Sequence, residues 1–417
     1  MTRIRIVCLG LLWAALGFNV SPTGEWGFAT ARAESESLRP EVGKPLQAAQ
    51  DLMKAHKYKE ALSQIHDAES VPNKTPYETY IIDSMRGTVA ATAGNTELAT
   101  KSFEAVVASG RMPPAEQLKV VQALASAYYQ AKDYPKAIGW AQRFFKDGGA
   151  DAQMRTLLAQ SYYLGGEYAK AAKELQTDVQ ADESAGRAPS EDRLQLLAGC
   201  YLKQGDQTGY IGALEKLVTY APKKEYWADL LHRVTTRPGF ADRLALDAYR
   251  LKLALGGMST AADYTEAAQL ALQAGFPAEA RKVIEQGYAS GVLGTGADAE
   301  RHKRLRDLAT KKAAEDEKSL AQDEKAAAAA RDGTAPVNIG FNFVLNGQFD
   351  AGIALMEQGI QKGGVKHPED AKLHLGIAYL QAGKKAKALQ VLKSVQGTDG
   401  TADLARLWAI QAGRAST

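Results

Sequence analysis

The sequence predicts an all-α protein built from a stack of antiparallel helix pairs. Three observations point there. Alanine is the commonest residue, and proline is scarce at 14 of 417 residues, a composition that favours helix. A short string recurs as Tyr58-Lys59-Glu60-Ala61-Leu62, Tyr134-Pro135-Lys136-Ala137-Ile138 and Tyr168-Ala169-Lys170-Ala171-Ala172, with Ala137 and Ala171 34 residues apart. Turn residues such as Gly165-Gly166, Gly275 and Asn346-Gly347 fall between the helical stretches.

A matching helix precedes the second and third copies, Leu124-Ala125-x-x-Tyr128 and Leu158-Ala159-x-x-Tyr162. The frame returns as Ile339-Gly340-x-x-Phe343 with Gly352, and as Leu375-Gly376-x-x-Tyr379 with Ala388. Weaker copies centre on Ala99, Tyr210 and Ala280, and the Trp227–Leu231 stretch opens another. Small residues at two fixed places let paired helices approach closely, and the aromatic fills the wedge towards the next pair. The pattern resembles the tetratricopeptide (TPR) repeat. That resemblance implies helix pairs stacked in a right-handed superhelical solenoid, since one pair alone cannot bury its apolar face.

Composition narrows the function class. The chain is 45% hydrophobic and 24% charged, with net charge +3. So small a basic surplus argues against a nucleic-acid partner. Residues 1–33 read as a cleaved signal peptide. Arg3 and Arg5 precede a short apolar run from Ile6 to Phe18, and overlapping A-x-A exits end at Ala33. The alternative is a retained N-terminal anchor, favoured by the long spacer from Ser21 to Ala33. Cleavage removes Arg3, Arg5, Arg32 and Glu25, leaving a net charge of +1. It also leaves Cys200 as the lone cysteine, and its Leu-Leu-Ala-Gly-Cys-Tyr-Leu setting reads as the packed face of a helix. No transmembrane span is expected in the mature chain.

The expected organisation is a signal peptide at 1–33, a flexible start at 34–44, an N-terminal repeat block at 45–295, a charged Ala-rich helical segment at 296–333, and C-terminal pairs with a capping helix at 334–417. The charged segment has no persistent apolar seam. It is expected to be a long, solvated, protruding helix that fills one repeat slot, acting as a spacer between two solenoid blocks or as an arm for a partner. The capping helix runs over Asp403–Gln411, with Leu404, Leu407 and Trp408 facing the last pair.

No reaction can be read. The six histidines are scattered, and there is no H-E-x-x-H, P-loop, G-x-S-x-G or S-x-x-K. No catalytic residue, cofactor or metal site is expected. Repeats of this kind offer a face lined by the first helix of each pair. Its expected residues are Lys119, Gln122, Ser126 and Tyr129, then Gln153, Thr156, Gln160 and Tyr163. Tyrosines flanked by amides suit an extended peptide; the competing reading is that they cover a neighbouring helix. A second, apolar face is expected from Phe341 and Leu345 with Leu373 and Ile377, suited to an amphipathic helix unless the charged segment folds over it.

A further resemblance lies in Pro222-Lys223-Lys224-Glu225-Tyr226-Trp227, in Ala268–Gly275 with Ala280–Glu285, and in Gly363–Pro368 leading into Leu373–Tyr379. These strings are similar to periplasmic TPR proteins of proteobacteria encoded beside TonB energy-transduction systems and described as components of them. The resemblance implies a periplasmic scaffold for a protein or peptide partner in the cell envelope, accessory to a TonB-type complex. Two alternatives stay open: a scaffold for envelope polymer export or outer-membrane assembly, and a hydrolase or small-ligand protein that uses the groove.

Overall fold

The computed structural model describes residues 37–414, so the signal-peptide reading lies outside the described residues. The chain divides into two compact units, one ending at Gln180 and the other beginning at Ala181. Among the described residues all regular structure is helical. The first unit contains α1 (Pro40–Lys54), α2 (Tyr58–Glu69), α3 (Pro76–Thr92), α4 (Thr96–Ala108), α5 (Pro114–Gln130), α6 (Tyr134–Lys146) and α7 (Ala152–Leu164), and most of α8 (Tyr168–Ser184), which runs on past its last residue.

Local chemistry sets the helix starts. Thr75 and Glu78 form a capping box with Pro76 in the first turn of α3. The Asp133 and Asp151 carboxylates accept from the Lys136 and Met154 amides and cap α6 and α7. At the other end of the unit, α1 begins at Pro40, inside the stretch expected to be a flexible start. Val42 and Leu46 of α1 bury themselves beside Ala61 and Ile65 of α2, which orders the segment.

The pairing follows one spacing. A small buried residue on the first helix is followed twelve positions later by another on the second: Ala49 and Ala61, Gly87 and Ala99, Ala125 and Ala137, Ala159 and Ala171. The second unit repeats it with Ala268 and Ala280, Gly340 and Gly352, Gly376 and Ala388. At Gly340 the backbones meet, because a Cβ there would lie 2.6 Å from the Gly352 carbonyl oxygen. Cys200 is buried, and burial pushes its thiol up to about 11, as expected of a packing residue.

The second unit holds α9 (Glu191–Gln204), α10 (Gln207–Tyr220), α11 (Lys224–Thr235), α12 (Ala245–Ala254), α13 (Ala261–Gln273) and α14 (Pro277–Ala289). It continues through α15 (Ala299–Ala329), α16 (Thr334–Leu345), α17 (Phe349–Lys362), α18 (Pro368–Gln381), α19 (Lys385–Ser394) and α20 (Thr401–Arg414). The charged segment does form one long helix, α15, but it neither protrudes nor separates two blocks. It lies along α13, α14 and α16. Its inward positions are His302, Arg306, Ala309, Ala313, Asp316, Leu320, Asp323 and Ala327, a seam of alternating four- and three-residue steps. His302, Ala309, Ala313, Leu320 and Ala327 are buried. Arg306 makes a two-point ion pair with Glu285 of α14 at 2.7 and 2.6 Å. The Asp316 carboxylate accepts from Asn342 and Asn346 of α16. The seam is real but, Leu320 apart, made of alanine and polar residues, so hydrophobicity alone gives little sign of it.

The capping helix α20 buries Leu404, Leu407 and Trp408 and packs on α18 and α19, as the sequence suggests. It also reaches α10 and α12. Arg406 pairs with Glu215 at 2.8 Å, Arg243 holds Asp370 at 2.7 Å and Asp399 at 2.6 Å, and the Ala241 amide donates to the Asp399 carbonyl at 2.8 Å. The end of the chain is thus clasped to the helices at the start of the second unit.

Gly340→Ala is expected to lower stability by about 1–3 kcal/mol, because the added methyl must push α16 from α17. Denaturant unfolding checks it, and an unchanged midpoint would refute the close approach.

Candidate peptide-binding face and the buried ion cluster

On α5, Lys119, Gln122, Ser126 and Tyr129 recur at helical spacing and share one face. Gln153, Thr156, Gln160 and Tyr163 do the same on α7, which packs beside α5. Lys119 and Gln153 are exposed and the other six are half-buried. The Tyr129 hydroxyl donates to Gln160 Oε1 at 3.0 Å, joining successive first helices. Each tyrosine ring packs edge-on against the residue that opens its own second helix. Tyr129 meets Tyr134 at 6.2 Å and Tyr163 meets Tyr168 at 5.4 Å. The Ser126 and Thr156 hydroxyls turn back onto the carbonyls four residues earlier and offer little outward.

What remains available is a set of amides and one phenol. No described residue bonds the side chains of Lys119, Gln122 or Gln153, or the Tyr163 hydroxyl. The neighbouring tyrosines take the other role expected of them. Tyr128 donates to Glu104 of α4 at 2.7 Å, and Tyr162 accepts from Gln142 of α6 at 2.7 Å, so both fill the wedge between pairs. The tyrosines at 129 and 163 therefore both cover a neighbouring helix and border the open face.

The second expected face does not exist. Phe341 and Leu373 are fully buried, Ile377 is 1% exposed, and Leu345 is half-buried. The charged helix is not what covers them, for α15 packs instead on Ile339, Phe343 and Leu355. Phe341 lies between the Phe276 ring, edge-on at 5.5 Å, and the His374 ring, stacked at 4.7 Å. The Arg250 guanidinium stands 4.8 Å from its ring centre. An apolar run on α16 and α18 is thus core of the second unit and offers no groove.

That packing reveals a cluster that sequence reasoning missed. Arg250 of α12 clamps Glu279 of α14 through Nε at 2.7 Å and a terminal nitrogen at 2.6 Å, and reaches Asp247 at 2.8 Å. The His374 ring of α18 meets Asp247 through Nε2 at 2.9 Å, and Arg250 approaches the same nitrogen at 3.3 Å. Burial pushes the Asp247 carboxyl up, but the His374 and Arg250 charges outweigh it and hold Asp247 well below the usual carboxylate range. The four groups answer one another and tie α12, α14 and α18 together. Asp247 and Arg250 lie one helical turn apart, but Glu279 is 29 residues from Arg250 and His374 is 127 from Asp247, so no local pattern shows the set.

The model of the tetratricopeptide repeat family matches residues 84–145, 123–188 and 343–403. The chain carries tetratricopeptide repeats. The matched stretches contain α5 to α8 and α17 to α19, including the face just described. Among curated proteins none matches the sequence. Solved structures that it resembles include a TPR protein from Parabacteroides merdae, at 14% identity over 65% of this chain and 99% of that one, TM-score 0.30. A thermophilic TPR protein of Thermus thermophilus matches at 18% identity over 46% of this chain and 98% of its own, TM-score 0.24. The TPR2AB domain of yeast Sti1 in its pHSP90 complex matches at 15% identity over 72% and 100%, TM-score 0.24. The repeat assignment rests on the matched residues and the helix pairing, and not on these superpositions. TPR repeats support a protein–protein interaction scaffold.

Arg250→Ala leaves Asp247 and Glu279 buried without their counter-charge, and is expected to cost about 3–5 kcal/mol. A melting temperature near that of the parent chain would show the cluster to be solvated.

Proposed function

We propose that this TPR protein is a periplasmic scaffold that holds an extended segment of an envelope protein on the α5–α7 face, as an accessory of a TonB-type energy-transduction complex. The observation that carries the binding reading is the division of labour on that face. Tyr129 and Tyr163 are held by edge contacts, so little rotamer freedom remains to be lost on binding. Gln122, Gln153, Lys119 and the Tyr163 hydroxyl stay uncommitted and match the alternating donors and acceptors of a peptide backbone. The leader-like residues 1–33 and the likeness of Pro222–Trp227, Ala268–Gly275 and Gly363–Pro368 to TonB-linked proteins support the location and the client. No described helix is long and apolar enough to cross a membrane.

The test is partner capture in living cells, with a photo-crosslinking residue at Gln122, Gln153 or Tyr163 and an outward control at exposed Lys173 of α8. Adducts to one protein of a TonB system, formed from the face and not from Lys173, are the expected result. Adducts to an export or outer-membrane assembly protein would move the scaffold to that machine. Equal yields from Lys173, or recovery of the chain in the cytoplasm with residues 1–33 intact, would overturn the proposal.

A further inference from the structure

One helix pair of the second unit breaks the rule that the others keep. In the other eight pairs among the described residues, two or three residues join the helices, as 131–133 join α5 to α6. Between α11 and α12 the connection is nine residues, 236–244, ending in a 3-10 turn over Asp242–Leu244. The extra chain carries Phe240 between the two helices, and Gly400 backs its ring so closely that a Cβ there would run into it. The pair cannot close, and a cleft of about 450 Å³ remains between α11 and α12, within the size range of small-molecule sites.

Its walls are apolar, formed by Trp227, Leu231, Phe240 and Ala248. Two polar groups that line it are already engaged: the Tyr249 hydroxyl donates to Glu266, and Lys252 pairs with Asp263. Lys224, His232 and Asp242 also line it, all three exposed, and no described residue bonds their side chains. The cleft therefore offers an apolar body rimmed by one uncommitted lysine, one uncommitted carboxylate and the His232 imidazole. Lys224 opens α11, so the partial positive charge of the helix start adds to its own. A simple fatty carboxylate would satisfy Lys224 and be opposed by Asp242, and an apolar amine would meet the reverse conflict. A molecule with an apolar body and both charges satisfies the two together.

We infer that the cleft between α11 and α12 binds short apolar peptides by their free ends, with the carboxylate at Lys224 and the ammonium at Asp242. The site is separate from the α5–α7 face and does not depend on what that face holds.

Titration calorimetry of the full chain with the dipeptide Phe-Leu tests it, beside its N-acetyl form and its C-terminal amide. Each cap is expected to weaken binding about tenfold or more, the scale of one charge-assisted hydrogen bond. Lys224→Ala should erase the preference for the free acid over the amide. Asp242→Asn should erase the preference for the free amine over the acetylated form. Both residues are exposed, so both variants should melt with the parent. Ala248→Trp, which fills the cleft, should abolish binding while circular dichroism shows the helices intact. Equal affinity for capped and free dipeptides would reduce the cleft to an unselective apolar slot and overturn the inference, as would no binding of the free dipeptide at millimolar concentration.

Discussion

Two helices can lie side by side at short range only where neither presents a bulky side chain at the crossing. In seven pairs of this chain that condition is met by a glycine or alanine on the first helix and another twelve residues on, all of them buried. Everything else in the repeats depends on it. Close approach fixes which face of each helix is inward, places Tyr128 and Tyr162 in the wedges between pairs, and leaves the residues of α5 and α7 on the remaining side. The face proposed to hold a peptide is what the packing rule does not consume.

The second unit adds a buried charge cluster to its apolar contacts. Arg250 binds two carboxylates from different helices, and with His374 it makes one buried set held by mutual hydrogen bonds. Removing water from four ionisable groups is costly, and mutual hydrogen bonds offset that cost only in a well-fitted geometry. The Phe276 and Phe341 rings supply the dry surroundings and a cation–π contact to the same guanidinium. Outside this cluster, Arg243, Arg406 and the Ala241 amide fasten α20 and the loop before it to the first helices of the unit. The long connection that hosts this clasp also carries Phe240, so the cleft between α11 and α12 is a consequence of how the unit is closed.

Most of the fold was legible because the packing rule is local. Glycine and alanine twelve apart, an aromatic three residues after the first, and turn residues between can all be read along the chain. The α5–α7 residues were legible for the same reason, as positions left over on a helix of known phase. Three features were not. The seam of α15 is alanine, aspartate, arginine and histidine with a single large apolar residue, Leu320, so its steps of four and three carry little apolar signal. Phe341, Leu373 and Ile377 read as an exposed apolar stripe because periodicity shows which residues share a face and not what covers it. The ion cluster joins residues that only tertiary folding brings together. The nine residues from 236 to 244 were in plain view, and a count of connection lengths would have marked the α11–α12 pair as the one that cannot close.

The central claim is that the working surface of this TPR protein lies on the first helices of the first unit and that the apolar stripe of the second unit is core. Hydrogen exchange, measured by mass spectrometry on the full chain with and without its captured partner, tests that most directly. The account predicts slowed exchange in peptides from α5 and α7 on binding, and unchanged exchange in α16 and α18. Protection confined to α16 and α18, with α5 and α7 unaffected, would contradict it.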